Sequence, residues 1–209
     1  FSEADFQFFP EGGDLIENVS SKVAFKAVQE KGLGIDVKGE IVDNTGKVIS
    51  SIQSQHLGMG SFTLLPESGK TYKANLSFSN GIKKTIPLPQ AKSSGIAISV
   101  VSSTASNIIL QLSSNPAFFA QNRDKNFYLI ARSKGVICFA AQTNLATMNI
   151  GASIAKNKFP TGIVQITLFT NKGEPLTERL VFVNQTDVSS LSINTDKKVY
   201  GSRQPVKMN

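Results

Sequence analysis

One histidine, one cysteine and a short acidic run are the residues in this 209-residue chain whose types could do chemistry. A Ser/His/Asp triad or a histidine-based metal site would have to use His56. No Gly-x-Ser-x-Gly elbow frames any serine, and no His/Cys cluster accompanies His56. His56 therefore reads as a loop residue bonded to backbone beside Gly58-Met59-Gly60. Cys138 lies in Val136-Ile137-Cys138-Phe139-Ala140, the setting of a small buried hydrophobe. A reactive thiol would need a basic, exposed one, and a lone cysteine has no intrachain disulfide partner. Glu11, Asp14 and Glu17 offer oxygen ligands within seven residues but lack the Asp-x-Asp-x-Asp-Gly spacing of a calcium loop, so turn and solvating roles are expected. Gly12-Gly13 and Gly58-Met59-Gly60 could suggest phosphate cradles, yet neither opens a helix, and turn geometry is the better account. The pairs Phe8-Phe9 and Phe118-Phe119 could be binding aromatics; strand alternation would turn one of each inward and leave the other to meet a neighbouring domain. Asn18-Val19-Ser20, Asn75-Leu76-Ser77 and Asn184-Gln185-Thr186 match the glycosylation acceptor. No catalytic, cofactor-binding or metal-ligating residue is assigned, no cofactor is expected, and a non-enzymatic chain is the reading.

The elements that carry these residues are sheet-forming. Composition is ordinary for a globular chain, 40% hydrophobic and 18% charged, with no tryptophan and with 14 Phe and 3 Tyr to build an aromatic core. Ser, Thr, Asn, Gly and Val are abundant, and no Ala/Glu/Leu/Lys-rich block suggests long helices. Residues 6–8, 22–28 and 72–78 alternate apolar and polar, the period of half-buried strands. Asp43-Asn44-Thr45-Gly46 and Asn80-Gly81 are strong hairpin turns. About seven strands are expected before residue 90, with turns every 8–12 residues, the pattern of a β-sandwich. Residues 87–95 have linker composition, after which the pattern restarts: strands at 96–101, 108–112, 127–131, 136–141, 163–169 and 176–183. Residues 41–48 and 168–176 echo each other, a sign of tandem domains of one kind. A short helical turn is an open reading at 118–121 and at 144–148. Residues 191–194 and 200–208 look like two further strands that cannot bury a face alone. The expected organisation is a sandwich over 1–91, a second over 92–187, and the start of a third domain over 188–209, cut short.

Charge divides unevenly. Residues 1–90 hold 9 Lys/Arg against 10 Asp/Glu, a balance of −1, and residues 91–209 hold 13 against 5, a balance of +8. The basic half could face something anionic, such as lipid head groups, an acidic glycan or an acidic neighbouring domain, although a solvated lysine-rich surface accounts for it as well. Its Lys/Arg are scattered along strands without an RNP-like aromatic motif, which argues against nucleic acid. No apolar run reaches the ~20 residues of a membrane span. The chain opens at Phe1 with no visible signal peptide, which reads as a mature product or a cut piece of something longer.

The opening stretch resembles the macroglobulin-like repeat domains of bacterial alpha-2-macroglobulin-related envelope proteins. The likeness lies in Phe8-Phe9-Pro10-Glu11-Gly12-Gly13, in Val23-Ala24-Phe25-Lys26-Ala27, in Gly39 with Asp43 and Gly46, and in His56-Leu57-Gly58-Met59-Gly60. The second half matches more loosely through Phe159-Pro160-Thr161-Gly162-Ile163, Thr167-Leu168-Phe169 and Glu178-Arg179-Leu180-Val181-Phe182-Val183. The resemblance implies tandem immunoglobulin- or fibronectin type III-like sandwiches used as structural units of a larger extracytoplasmic protein of a Gram-negative envelope, some relatives of which carry a plug-like domain similar to that of TonB-dependent receptors. The implied work is that of spacer and docking modules toward neighbouring domains of the same parent chain or an envelope partner. A ligand-binding module for glycan or peptide, and a segment of a protease-trapping inhibitor, are the alternatives. One departure bears on the last: trapping members carry a Cys-Gly-Glu-Gln thioester, and no Gly-Glu-Gln follows Cys138.

Overall fold

The computed structural model describes residues 4–185 and 192–208. Fourteen strands, one α-helix and a single 3-10 turn at Lys156–Lys158 lie among them, so the chain is all-β. The strands are β1 (Ala4–Pro10), β2 (Ser21–Gln29), β3 (Val37–Asp43), β4 (Val48–Gln53), β5 (Met59–Leu64), β6 (Tyr72–Phe78) and β7 (Lys83–Pro87), followed by β8 (Ile96–Ser103), β9 (Asn107–Ser114), β10 (Asn126–Ser133), β11 (Val136–Asn144), β12 (Asn149–Ala155), β13 (Gly162–Thr170) and β14 (Pro175–Val183). The helix α1 spans Pro116–Asn122.

The strands pair antiparallel into four sheets, ordered β1-β2-β5, β4-β3-β6-β7, β12-β9-β8 and β11-β10-β13-β14. Renumbered from its own first strand, the second set repeats the first: strands 1, 2 and 5 in one sheet, and 4, 3, 6 and 7 in the other. Each pair of sheets closes on its own apolar cluster. The first draws Phe6, Val23, Phe25 and Leu64 from one sheet and Val37, Ile41, Ala74 and Leu76 from the other, with Leu88 at its end. The second joins Ile98, Leu110, Leu112 and Ile154 to Leu129, Ala131, Val164, Ile166 and Leu168. Alternation explains the division: in β2 the buried residues are Ser21, Val23, Phe25 and Ala27, and the residues between them face water.

Several expectations need correction. β12 was not anticipated, because Asn149-Ile150-Gly151-Ala152-Ser153-Ile154-Ala155 carries only two large apolar residues. It forms by pairing with β9 along its whole length. The open reading at 118–121 resolves as a helix over 116–122: Pro116 stands at the first helical position and Asn115 caps the turn by accepting from the Phe118 N–H at 3.0 Å. Residues 144–148 are not helical. The echoing hairpins occupy different places in the repeat, the first joining strands 3 and 4 and the second strands 6 and 7. What they share is turn chemistry. Gly46 N–H donates to Asp43 O and Asp43 N–H to Lys47 O; Gly173 N–H donates to Thr170 O and Thr170 N–H to Glu174 O. Asp43 Oδ1 accepts from the Thr45 and Lys47 N–H groups, as Thr170 Oγ1 accepts from those of Lys172 and Glu174. In the tail, Leu191 lies outside the described residues, and residues 192–208 form no strand, only an isolated bridge between Thr195 and Met208. Two such stretches cannot bury a sheet face by themselves.

Candidate functional site

Every acidic residue singled out as a calcium ligand lies in the loop between β1 and β2, and that loop is spent on contacts within the protein. It reaches across to β8, β14 and the segment after β7. Glu11 Oε1 accepts from the Val100 N–H at 3.2 Å and stands 3.0 Å from Arg179 Nε. The second approach is a charge contact rather than an aligned hydrogen bond, since Arg179 Nε is buried without a well-angled acceptor. Asp14 Oδ2 pairs with Lys92 Nζ at 2.6 Å. Glu17 Oε1 accepts from the Gly69 N–H at 3.2 Å. No group of three or more metal-ligating side chains occurs among the described residues.

The most enclosed part of this seam involves no charge. Thr177 is buried, and its hydroxyl donates to Gly12 O at 2.8 Å while accepting from the Ile98 N–H at 3.2 Å. Three segments far apart in sequence thus meet at one oxygen. Gly12 is required there: its φ is +86°, and a Cβ would stand 2.9 Å from Thr177 Oγ1 and 3.1 Å from Ile98 O. Beside it, Ile16, Val19 and Ala97 form a small buried apolar cluster of their own. The segment of linker composition is pinned to the same loop. Lys92 N–H donates to Leu15 O, Glu17 N–H donates to Lys92 O, and Ile16 and Lys92 form a parallel bridge. Buried Asn115 holds the segment's far end, donating to Ser93 O at 2.7 Å and accepting from the Gly95 N–H at 3.3 Å.

The remaining candidates are dispersed. His56 is exposed in the turn between β4 and β5; its backbone N–H meets Met59 O, and its imidazole has no partner among the described residues. Cys138 is half-buried on edge strand β11, less enclosed than expected, and its thiol meets Val136 O at 3.5 Å. The glycines of both Gly-rich segments serve turns and close approaches; a Cβ on Gly58 would stand 2.2 Å from Ala27 O. Phe8 packs on the first core against Phe6 and Phe62, and Phe9 is 49% exposed. Phe118 and Phe119 do not divide as strand neighbours would. Both lie against the second core, because successive helical residues are only about 100° apart around the axis. Of the glycosylation acceptors, Asn18 and Asn75 are exposed, and the third ends at Thr186, outside the described residues.

One polar site escaped notice in the sequence. The Asp43 side chain is enclosed, though shallowly, by its own hairpin. It accepts from the Thr45 hydroxyl at 2.6 Å, from the two backbone N–H groups of the turn, and from Lys70 Nζ at 3.1 Å. The Thr45 hydroxyl, aided by Lys70 and the turn amides and opposed by desolvation, holds the carboxyl far below the usual carboxylate range. Glu67 first, and Asp43 second, raise the Lys70 ammonium above its ordinary value. The signal was present in the spacing: an Asp opening a turn of Asn, Thr and Gly is a backbone cap.

No protein-family model matches this chain, and no curated protein matches it.

Proposed function

We propose that this chain is a rigid, non-enzymatic pair of macroglobulin-like β-sandwiches that sets the distance and orientation of neighbouring domains in a larger extracytoplasmic protein. The observation that carries this reading is the seam at Thr177. A hydroxyl buried between Gly12 and Ile98, backed by Glu11, Arg179 and the pinned residues 92–95, opposes bending between the sheet pairs. Interfaces between domains of one chain are often loose; here, buried polar groups would lose their partners on opening, which makes a bend costly. Repetition of one seven-strand connectivity supports tandem units of one kind. Paired across β13 and β14, Ile163 and Phe182 are 60% and 64% exposed, with Leu180 beside them at 52%. Such a patch suits burial under a neighbouring domain.

Spin labels test rigidity. With Cys138→Ser as background, labels at Ser79→Cys and Lys172→Cys, both on exposed turns, report across the seam. A single narrow distance distribution is expected from double electron–electron resonance. A broad or divided distribution would sink the spacer reading.

A further inference from the structure

The sheet β12-β9-β8 contains no Lys, Arg, Asp or Glu in any of its three strands, in a protein whose net charge is +7. Solvent-facing sheet surfaces ordinarily carry interspersed charges. Its inward residues, among them Ile98, Leu110, Leu112 and Ile154, belong to the second core. The opposite face is laid out by register: Ala97, Ser113 and Asn149 form one row, and Ser99, Gln111 and Gly151 the next. The loop after β1 is held against this face by Ile16 and Val19 packing on Ala97, so Asn18, Val19 and Ser20 stand as one wall. Pro116 and Met148 close the other side, leaving a groove of about 330 Å³ with no charged lining residue. That volume lies at the lower end of the ~300–1,000 Å³ usual for ligand sites.

We propose that this groove is a binding site for a neutral oligosaccharide, a role that goes beyond the spacing function above. Hydroxyl and amide groups both donate and accept, as sugar hydroxyls do, and an uncharged lining offers an anion or cation no ion-pair partner. Part of that capacity is uncommitted. Gln111 Nε2 donates to Ser113 Oγ at 3.0 Å and Asn149 Oδ1 at 3.4 Å, leaving Gln111 Oε1 and Asn149 Nδ2 for a ligand. Asn18 Nδ2 is used on Ser68 Oγ at 3.1 Å, which leaves Asn18 Oδ1. Pro116 and Met148, both exposed, supply apolar contact for the C–H faces of a pyranose. Gly151, the register partner of the lining residue Gln111, adjoins the groove, and nothing stands within 4 Å of a Cβ added there. An extended peptide is the weaker fit, since peptides add to the edge of a sheet through free backbone groups. The floor here is a sheet face, and the β9 backbone is already paired on both sides. Lacking an aromatic platform, the site should bind weakly, with Kd on the order of 1 mM or about −4 kcal/mol.

Amide-resolved NMR titration of the full chain tests this, with cellotriose, maltotriose, mannotriose and xylotriose as probes. The controls are trigalacturonate and the uncharged peptide Gly-Ser-Asn-Gly-Ser. Saturable shifts at Ser20, Gln111, Ser113 and Asn149 with at least one neutral trisaccharide are expected. The surface variants Gln111→Ala/Asn149→Ala and Gly151→Lys should each weaken that binding roughly tenfold or more, about 1.4 kcal/mol, with thermal unfolding unchanged. The proposal is overturned by no shift from any neutral trisaccharide up to about 10 Kd of the predicted strength, by binding that survives both variants, or by shifts from the peptide or trigalacturonate alone.

Discussion

At the scale of single residues, the seam and the first hairpin make the sharpest demands. Thr177→Val keeps the shape but leaves Gly12 O and the Ile98 N–H without partners. The expected loss is about 1–3 kcal/mol, or a fall in Tm of roughly 2–4 °C for each kcal/mol, read by calorimetry. Gly12→Ala should be at least as damaging, because an unfavourable φ adds about 1–2 kcal/mol to the clash with Thr177. Asp43 predicts a pH dependence. Its carboxyl stays ionised in the folded chain at acidities where the unfolded chain takes up a proton. The stabilisation is therefore complete above the ordinary value of 3.8 and is lost as pH falls below it toward the folded-state value. Urea midpoints should be level from pH 7 to 5 and decline below about pH 4. In Asp43→Asn the midpoint should be lower at neutral pH, and the acid decline shallower. An unchanged acid limb in that variant would remove Asp43 from the account.

Among elements, turns and strands differ in how far the sequence announces them. Lys134-Gly135 joins β10 to β11 with both residues at positive φ, 51° and 81°, as a two-residue hairpin requires. Such turns were legible because glycine sits where the backbone needs it. β12 was not legible: its small residues pattern weakly, and only pairing with β9 and the burial of Ile154 make it a strand. Ile154→Ala should consequently cost about 2–5 kcal/mol, well beyond what its weak local pattern suggests. Helix α1 differs from β12: a helical turn is an open reading at 118–121, and the local signals of Pro116 and the Asn115 cap decide it, so that Phe118 and Phe119 are not strand neighbours. Asn115→Ala removes that cap together with both bonds to the segment after β7. It should lose roughly 1–3 kcal/mol and admit proteolysis at residues 92–95 under conditions where the parent chain is uncut; equal resistance would show that Asn115 does not hold this segment.

For the whole molecule, the seam joins residues 165 positions apart, as at Gly12 and Thr177. If the seam sets rigidity, Glu11→Ala combined with Thr177→Val should broaden the spin-label distance distribution while each sheet pair keeps its near-native β signal by circular dichroism. A distribution left narrow would place the stiffness elsewhere, in the pinned residues 92–95. The acids read as solvating turn residues illustrate what was hidden. Glu11, Asp14 and Glu17 do sit in a turn, yet their partners are Val100 and Arg179, Lys92, and Gly69, which no local pattern names.

Alternation of side chains and the placement of glycine in bends act over two to five residues, so the sequence alone determined that the chain is all-β, where thirteen of the fourteen strands run, and which side of most strands meets a core. Tertiary structure alone decided β12, the burial of Thr177, and the uncharged groove beneath Asn18-Val19-Ser20. These depend on which distant backbones come within about 3 Å of one another, and that proximity is a property of the packed chain rather than of any window along it.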